Sequence, residues 1–173
     1  LDYLVTLNNL GALKKRLGEF EIARKYYDDA ILGIESYFRG GHPLLFKVLL
    51  NRSVLEMKAG ENEKALGYFQ KSHEFGQANL DLNRNDLLFC EANIGYLLGV
   101  LDQPHESLRV LSDTLPQHLE IFGESHQGTR LLIQDFFSSL AFPDNEKDIP
   151  SFLKKYSEIL AELEIESGFP VAI

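Results

Sequence analysis

The sequence predicts an all-α fold made of repeated helical hairpins, and three observations support this prediction. Apolar and small residues such as Phe20, Ala23 and Tyr27 recur at three- and four-residue steps, which is the spacing of one helical face. No stretch shows the sustained alternation of apolar and polar residues that a half-buried strand requires. The third observation is a repeat with a period of 42 residues, carried first by Asn9, Asn51 and Asn93.

The same period relates positions that have distinct roles in a hairpin. The expected turns hold Gly18, Gly60 and Asp102, and glycine suits the left-handed conformation that ends a helix. Small residues in both helices of a pair let the helices approach closely and pack ridges into grooves. These small residues are followed one turn later by a large one, giving the pairs Ala23 and Tyr27, Ala65 and Phe69, Ser107 and Leu111.

In chain order, the first hairpin is predicted at roughly 2–17 and 19–39, and the second at 43–59 and 61–82. The third is predicted at roughly 85–101 and 103–122. A fourth, degraded copy occupies roughly 126–141 and 149–167, with Asp135 in place of the asparagine and Phe137 in place of the small residue. The predicted units are therefore 1–42, 43–84, 85–126 and 127–173, and the last hairpin with its acidic helix at 151–166 is expected to cap the array.

Composition excludes several classes of protein. The formal net charge of -9 argues against a general nucleic-acid binder, which needs a basic field. The apolar runs are too short to span a membrane. The single cysteine, Cys90, excludes an internal disulfide and fits a reducing compartment, so we expect a cytoplasmic location. Because the chain begins at Leu1 in a helical pattern, we interpret it as a piece of a longer protein.

No catalytic pattern, metal site or cofactor motif was found. Cys90 has no patterned histidine partner and is interpreted as a packed thiol. The five histidines lack the spacing of metal ligands, and His42 and His126, at equivalent joints, are expected to cap or pack those joints. No glycine-rich phosphate loop occurs. The sequence therefore predicts a protein that is not an enzyme and needs no cofactor.

The ladder of small and large residues resembles the tetratricopeptide repeat, or TPR, through Leu7, Leu10, Gly11, Ala23 and Tyr27. The long period resembles kinesin light chains and the peptide-sensing TPR regulators of Gram-positive bacteria. The Leu7-Asn8-Asn9-Leu10 phrase and the Gly41-His42-Pro43 joint favour kinesin light chain, whereas Asn93-Ile94-Gly95-Tyr96 is closer to the bacterial sensors. The signature tyrosine is replaced by Lys14, Glu56 and Leu98. The resemblance implies a right-handed α-solenoid of about four antiparallel hairpins.

In peptide-binding TPR domains, the asparagine that matches Asn9, Asn51 and Asn93 grips the peptide backbone, so the resemblance implies this role here. An amide has both a donor and an acceptor, which suits a backbone of any sequence. The alternative is that these amides cap or bridge neighbouring helices within the fold. The further residues predicted on the same concave wall are Asn8, Ala12, Lys15, Lys47, Val54, Phe89 and Tyr96.

Either lysine on this wall could meet an acidic group of a peptide, or could simply be solvated. The carboxylate clamp of chaperone-binding TPR domains is incomplete, because Ala12 and Phe89 stand at two of its positions.

The predicted function is a non-catalytic interaction module that binds a peptide or a partner helix in its concave groove. Two alternatives remain open. The array could be the sensor segment of a larger regulator, reading a small peptide to control an effector domain. It could also be a structural spacer that self-associates through its open N-terminal hairpin.

Overall fold

The computed structural model of the protein describes residues 1–38, 41–78 and 84–140. These ranges contain helices and no strand, which confirms the predicted all-α class. The helices are α1 (Asp2–Arg16), α2 (Phe20–Tyr37), α3 (Pro43–Lys58), α4 (Asn62–Ala78), α5 (Arg84–Val100), α6 (Pro104–Phe122) and α7 (Gln127–Leu140). Each helix begins at the predicted residue or one residue away. The helix expected at 149–167, and with it the cap, lies outside the described residues.

The turn inside each hairpin has the same conformation in all three copies. Gly18, Gly60 and Asp102 have φ angles of 76°, 77° and 57°, in the left-handed region where an L side chain is unfavourable. The residue after each turn donates its N–H to the carbonyl oxygen five positions earlier, at distances of 3.0, 2.9 and 2.9 Å. These bonds satisfy carbonyl groups that the end of the first helix would otherwise leave unpaired.

Two of the joints between hairpins hold a histidine that caps the following helix, as the sequence predicted. His42 precedes α3, and its Nδ1 accepts a hydrogen bond from the N–H of Leu44 at 3.1 Å. His126 precedes α7 and accepts in the same way from the N–H of Gly128 at 3.2 Å. Each ring satisfies one of the unpaired donors at a helix start, so neither histidine is available as a ligand through this nitrogen.

The helices pack in chain order, each one against the next, and the buried apolar residues form three clusters along the stack. The expected small residues lie at the closest approaches. Ala23 and Ala65 are fully buried, and a Cβ on Gly95 would meet the side chain of Leu111. Close helix crossings of this kind leave no room for larger side chains.

The first helices of neighbouring hairpins also contact each other, α1 with α3 and α5 with α7. In a curved stack, the helices that approach one another across hairpins lie on the inner side. We therefore assign α1, α3, α5 and α7 to the concave wall.

None of the helices in the described ranges combines the length and the apolar character needed to cross a membrane.

Candidate functional site

A cavity of about 800 Å³ opens on the concave wall, between the C-terminal end of α3, one face of α5 and one face of α7. The C-terminal end of α6 closes it at one side. Its lining residues are Met57, Lys58, Asn85, Asp86, Phe89, Ala92, Asn93, Tyr96, His118, Phe122, His126, Gly128, Leu131, Leu132 and Asp135.

Helical spacing places these side chains in two facing stripes. On α5, Asp86, Phe89, Asn93 and Tyr96 follow one another at three- and four-residue steps, so they share one face of the helix. Phe89 and Tyr96 are 44% and 41% exposed, so both aromatic residues of this stripe keep surface open to the cavity. On α7, Leu131 and Asp135 are one turn apart and face the same cavity. The site is thus an apolar groove with a few polar groups.

Asn93 is the polar centre of the α5 stripe. Its Nδ2 donates to the carbonyl oxygen of Phe89 in the same helix, at 2.7 Å. Within the described ranges its Oδ1 has no hydrogen-bond partner, so this side chain retains an acceptor toward the groove.

Asp135 occupies the equivalent position on α7, 42 residues after Asn93. Burial raises the pKa of its carboxyl from 3.8 to about 6. Among the described residues, no cation or hydrogen-bond donor pairs with this carboxylate. The groove therefore contains a half-buried acid whose charge no side chain in the described part of the chain compensates.

Three rings close the end of the groove. Phe122 lies between two histidines, with ring centroids 4.5 Å from His118 and 4.9 Å from His126. His118 is buried and its Nδ1 shares a hydrogen bond with Thr129 Oγ1 at 2.9 Å. Burial, and secondarily the neighbouring His126, lower the pKa of His118. These contacts make the ring cluster a fixed wall of the groove.

On the first two hairpins, the predicted amides bond to one another. Asn51 Nδ2 donates to Asn8 Oδ1 at 3.0 Å, and Lys15 Nζ donates to Asn51 Oδ1 at 3.4 Å. Burial, and secondarily Lys58, lower the pKa of Lys15. This chain of bonds ties α1 to α3, as the bridging interpretation of the asparagines predicted.

The structure thus divides the predicted binding residues. It brings Phe89, Asn93 and Tyr96 together in the cavity. It links Asn8, Lys15 and Asn51 across the first hairpin contact. The remaining four are not among the cavity-lining residues: Asn9 and Lys47 are exposed, Ala12 is half-buried, and Val54 packs on the core.

Sequence reasoning missed most of the groove wall formed by α3, α6 and α7. The missed residues include Met57, Lys58, His118, Phe122 and Leu131. In the 42-residue repeat, Asp135 stands at the position that Asn9, Asn51 and Asn93 occupy in the other copies. This equivalence to Asn93 was the signal that could have placed Asp135 in the groove.

A separate network of charged side chains joins the first and second hairpins. Glu56 is fully buried and accepts from Arg24 Nε at 3.0 Å and from Arg24 Nη2 at 2.8 Å. Its other partner is the buried Arg52, whose Nη1 lies against Glu56 Oε1 and whose Nε bonds Asp28 Oδ1 at 3.0 Å. The sequence marked Glu56 as a departure from the repeat pattern, and the structure shows that it holds two arginines.

The cysteine has the properties of a packed thiol. Cys90 is fully buried, and its Sγ donates to Ser72 Oγ at 3.8 Å. Burial raises the pKa of the Cys90 thiol to about 12, so the reactive thiolate is not formed near neutral pH.

Comparison with known proteins supports the repeat architecture. Residues 2–78 match the family model of the tetratricopeptide repeat. A search among curated proteins finds no sequence relative.

The folds of solved structures extend the likeness beyond the matched residues. Two crystal structures of a Podosopora anserina protein, described as a kinesin light chain with nearly identical TPR-like repeats, superpose on the chain with a TM-score of 0.70. One of them is a single-substitution variant. Their sequences are 12% and 11% identical to this one, and each alignment covers 93% of this chain and 76% of the other. At this identity the likeness concerns the fold. Together with the 42-residue period and the three matching turns, these comparisons show that residues 2–78 match the tetratricopeptide repeat and that the fold of the chain is an α-solenoid similar to the TPR-like repeats of those structures.

Proposed function

We propose that the chain is a non-catalytic interaction module, cytoplasmic in location, that binds a protein partner as a peptide or helix in its concave groove. The observation that carries this proposal is the cavity of about 800 Å³ between α3, α5 and α7. TPR arrays are in general modules for protein–protein interaction, which supports the same conclusion. Apolar grooves with a few convergent polar groups are the usual form of such sites.

The dimensions of the groove suit a short segment of a partner. Asp86 and Tyr96 are ten residues apart on α5, which corresponds to roughly 15 Å along the helix axis. An extended peptide spans that distance with about five residues. A helical partner would present about three turns.

Asn93 and the two exposed rings are assigned the binding role, and Asn51 a mainly structural one. Asn93 lines the cavity and keeps an acceptor toward it, so it can receive a peptide N–H. Phe89 and Tyr96 provide apolar area next to it, and such rings are the usual anchors of interfaces. Asn51 already uses both polar atoms of its amide in bonds to Asn8 and Lys15.

The test uses a random peptide library displayed on phage, selected against the full chain. Peptides that are enriched should bind the unaltered protein and lose at least tenfold in affinity on Leu131→Asp, because a carboxylate would enter the apolar wall. Leu131 is 53% exposed, so this change should leave the fold intact. Leu32→Asp is the matched control, since Leu32 is a 62% exposed leucine on α2 that is not among the cavity-lining residues. Failure to enrich any peptide, or equal binding by both variants, would show that the groove is not the site.

Self-association is the second candidate, favoured by the side chains of Leu1, Tyr3 and Val5, which are exposed on the first hairpin. It predicts a mass that rises with protein concentration in sedimentation experiments and falls back for Tyr3→Ser. A monomer at all concentrations would exclude it.

A further inference from the structure

The charged groups of the groove indicate what kind of peptide it accepts. The cavity is lined by two carboxylates, Asp86 and Asp135, against one lysine, Lys58. We propose that the groove selects peptides that carry a basic side chain between apolar residues, and that Asp135 is the acceptor for this cation. This inference rests on the proposed function, because it names the partner chemistry of the same groove.

Asp135 is the group that most needs a cation. It is half-buried on the apolar wall of the groove, and no described residue pairs with it. A carboxylate removed from water without a partner is unfavourable, and a cation within bonding distance offsets that cost. The alternative way to offset it is protonation, and the raised pKa of Asp135 reflects this tendency. Binding an arginine or lysine would stabilise the ionised form of the carboxyl.

The aromatic residues around the groove fit the rest of such a side chain. Phe89, Tyr96 and Phe122 line the same cavity as Asp135. Their rings can cover the methylene groups of arginine or lysine, and their faces attract a cation. Apolar residues on either side of the basic one would pack on Leu131 and Met57. An acidic peptide would instead place its carboxylate near Asp86 and Asp135, on a protein whose net charge is already -9.

The experiment uses three synthetic peptide pools that differ at one central position. This position is arginine, citrulline or glutamate; citrulline has nearly the shape of arginine but no charge. Leucine or phenylalanine is fixed on both sides, and the other positions are random. Binding of each fluorescein-labelled pool to the full chain is measured by polarisation. We expect the arginine pool to bind about tenfold more tightly than the citrulline pool, with the glutamate pool weakest.

Asp135→Asn should remove the preference for arginine over citrulline. Asparagine occupies the equivalent position in the other three repeats, so the variant is compatible with the fold. Asp113→Asn is the matched control, since it removes the same charge from an exposed position of α6 that is not among the cavity-lining residues. It should keep the preference.

A second measurement does not depend on the variant. In the unaltered protein, the pKa of the Asp135 carboxyl, followed by carbon NMR, should fall when the arginine pool binds and stay near its free value with the citrulline pool.

The outcomes separate the two proposals. If no pool binds, the proposed function fails and this inference fails with it. If the pools bind equally and Leu131→Asp abolishes their binding, the groove binds peptides but does not select a cation. A preference for arginine that survives in Asp135→Asn, or a pKa of Asp135 that does not move, would overturn the role of Asp135.

Discussion

The second and third hairpins place opposite chemistry at the same position of the repeat. Glu56 and Leu98 are 42 residues apart, and the carbonyl oxygen of each accepts a hydrogen bond from the N–H of the residue after the turn that follows its helix. Both side chains are buried, but Glu56 holds Arg24 and Arg52, whereas Leu98 packs in an apolar cluster. The repeat therefore determines where a side chain lies, and it leaves the chemistry of that position free to differ.

The difference continues toward the concave wall. In the first two hairpins, amides and a lysine bond across helices and use up their polar atoms among themselves. In the third hairpin and α7, the corresponding residues line an open groove and keep unpaired groups, Asn93 Oδ1 and the Asp135 carboxylate, within the described part of the chain. We infer that the first half of the array mainly supports the fold and the second half mainly binds.

The largest expected effect is that of Glu56→Ala on stability. The change leaves Arg52 buried without its acidic partner in the same helix, and it removes the bidentate partner of Arg24. Breaking a buried ion pair in this way typically costs about 3–5 kcal/mol. Urea denaturation should therefore show a much lower midpoint. Glu63→Ala, at an exposed position of α4, is the control and should change stability by less than about 0.5 kcal/mol.

A triple replacement sharpens the same comparison. The variant combines Arg24→Met, Arg52→Leu and Glu56→Leu. It would give the contact between the first two hairpins the apolar character found around Leu98. Replacing a buried ion-pair network by apolar residues is often neutral or stabilising. The triple variant should therefore recover most of what Glu56→Ala loses. If it is as unstable as the single variant, the charges are not the reason for the loss.

Gly95→Ala tests the close packing of the third hairpin. A Cβ at this position would meet the side chain of Leu111, which is fully buried and has little room to move. Overpacking of this kind costs about 1–3 kcal/mol. Gly67→Ala is the matched control, since Gly67 also lies inside a helix but has open space around it. Alanine there should stabilise the protein by about 0.5–1 kcal/mol. Equal shifts of the two melting temperatures would contradict the packing described here.

The architecture could be predicted from the sequence because the same helical-hairpin pattern occurs in several copies. A period of 42 residues, with matched turns and small residues, constrains each helix by its copies. The burial of Glu56 could not be predicted, because its partner Arg24 is 32 residues away in the chain and no copy repeats the pair. The groove was found only in part, since one of its walls comes from the degraded fourth copy, where the pattern is weakest. The repeat identified Asn9, Asn51 and Asn93 as equivalent positions. That equivalence alone did not show which of these amides form hydrogen bonds within the fold.

Asp135→Asn should change the pH dependence of stability. The folded-state pKa of about 6 lies above the ordinary value of 3.8, so the ionised carboxylate destabilises the native state at neutral pH. This penalty disappears as pH falls from about 7 to 4, because the native state takes up a proton before the unfolded state does. At pH 7 the variant should therefore be more stable than the unaltered protein by about 1–2 kcal/mol, after allowance for partial exposure.

The advantage of Asp135→Asn should vanish near pH 4. The other polar groups lining the groove are common to both proteins, so the difference between the two unfolding curves isolates Asp135. A difference that is constant between pH 4 and 7 would show that the carboxyl is not perturbed.

The smallest expected effects are those of the two asparagines, and they separate support from binding most directly. Asn51→Ala removes the bonds to Asn8 and Lys15, and a net loss of about 0.5–1.5 kcal/mol in the free energy of unfolding is expected. Asn93→Ala removes only a bond to its own helix, and the better helix propensity of alanine offsets that loss, so its melting temperature should barely change.

For the affinity toward peptides selected on the groove, the order of the two variants should reverse. Asn93→Ala should weaken binding by about 1 kcal/mol, or roughly fivefold, whatever the peptide sequence, because the amide contacts the backbone. Asn51→Ala should leave affinity unchanged at temperatures where the variant is folded. Calorimetry on both variants gives the two quantities, and a loss of affinity confined to Asn51→Ala would move the binding site to the first two hairpins.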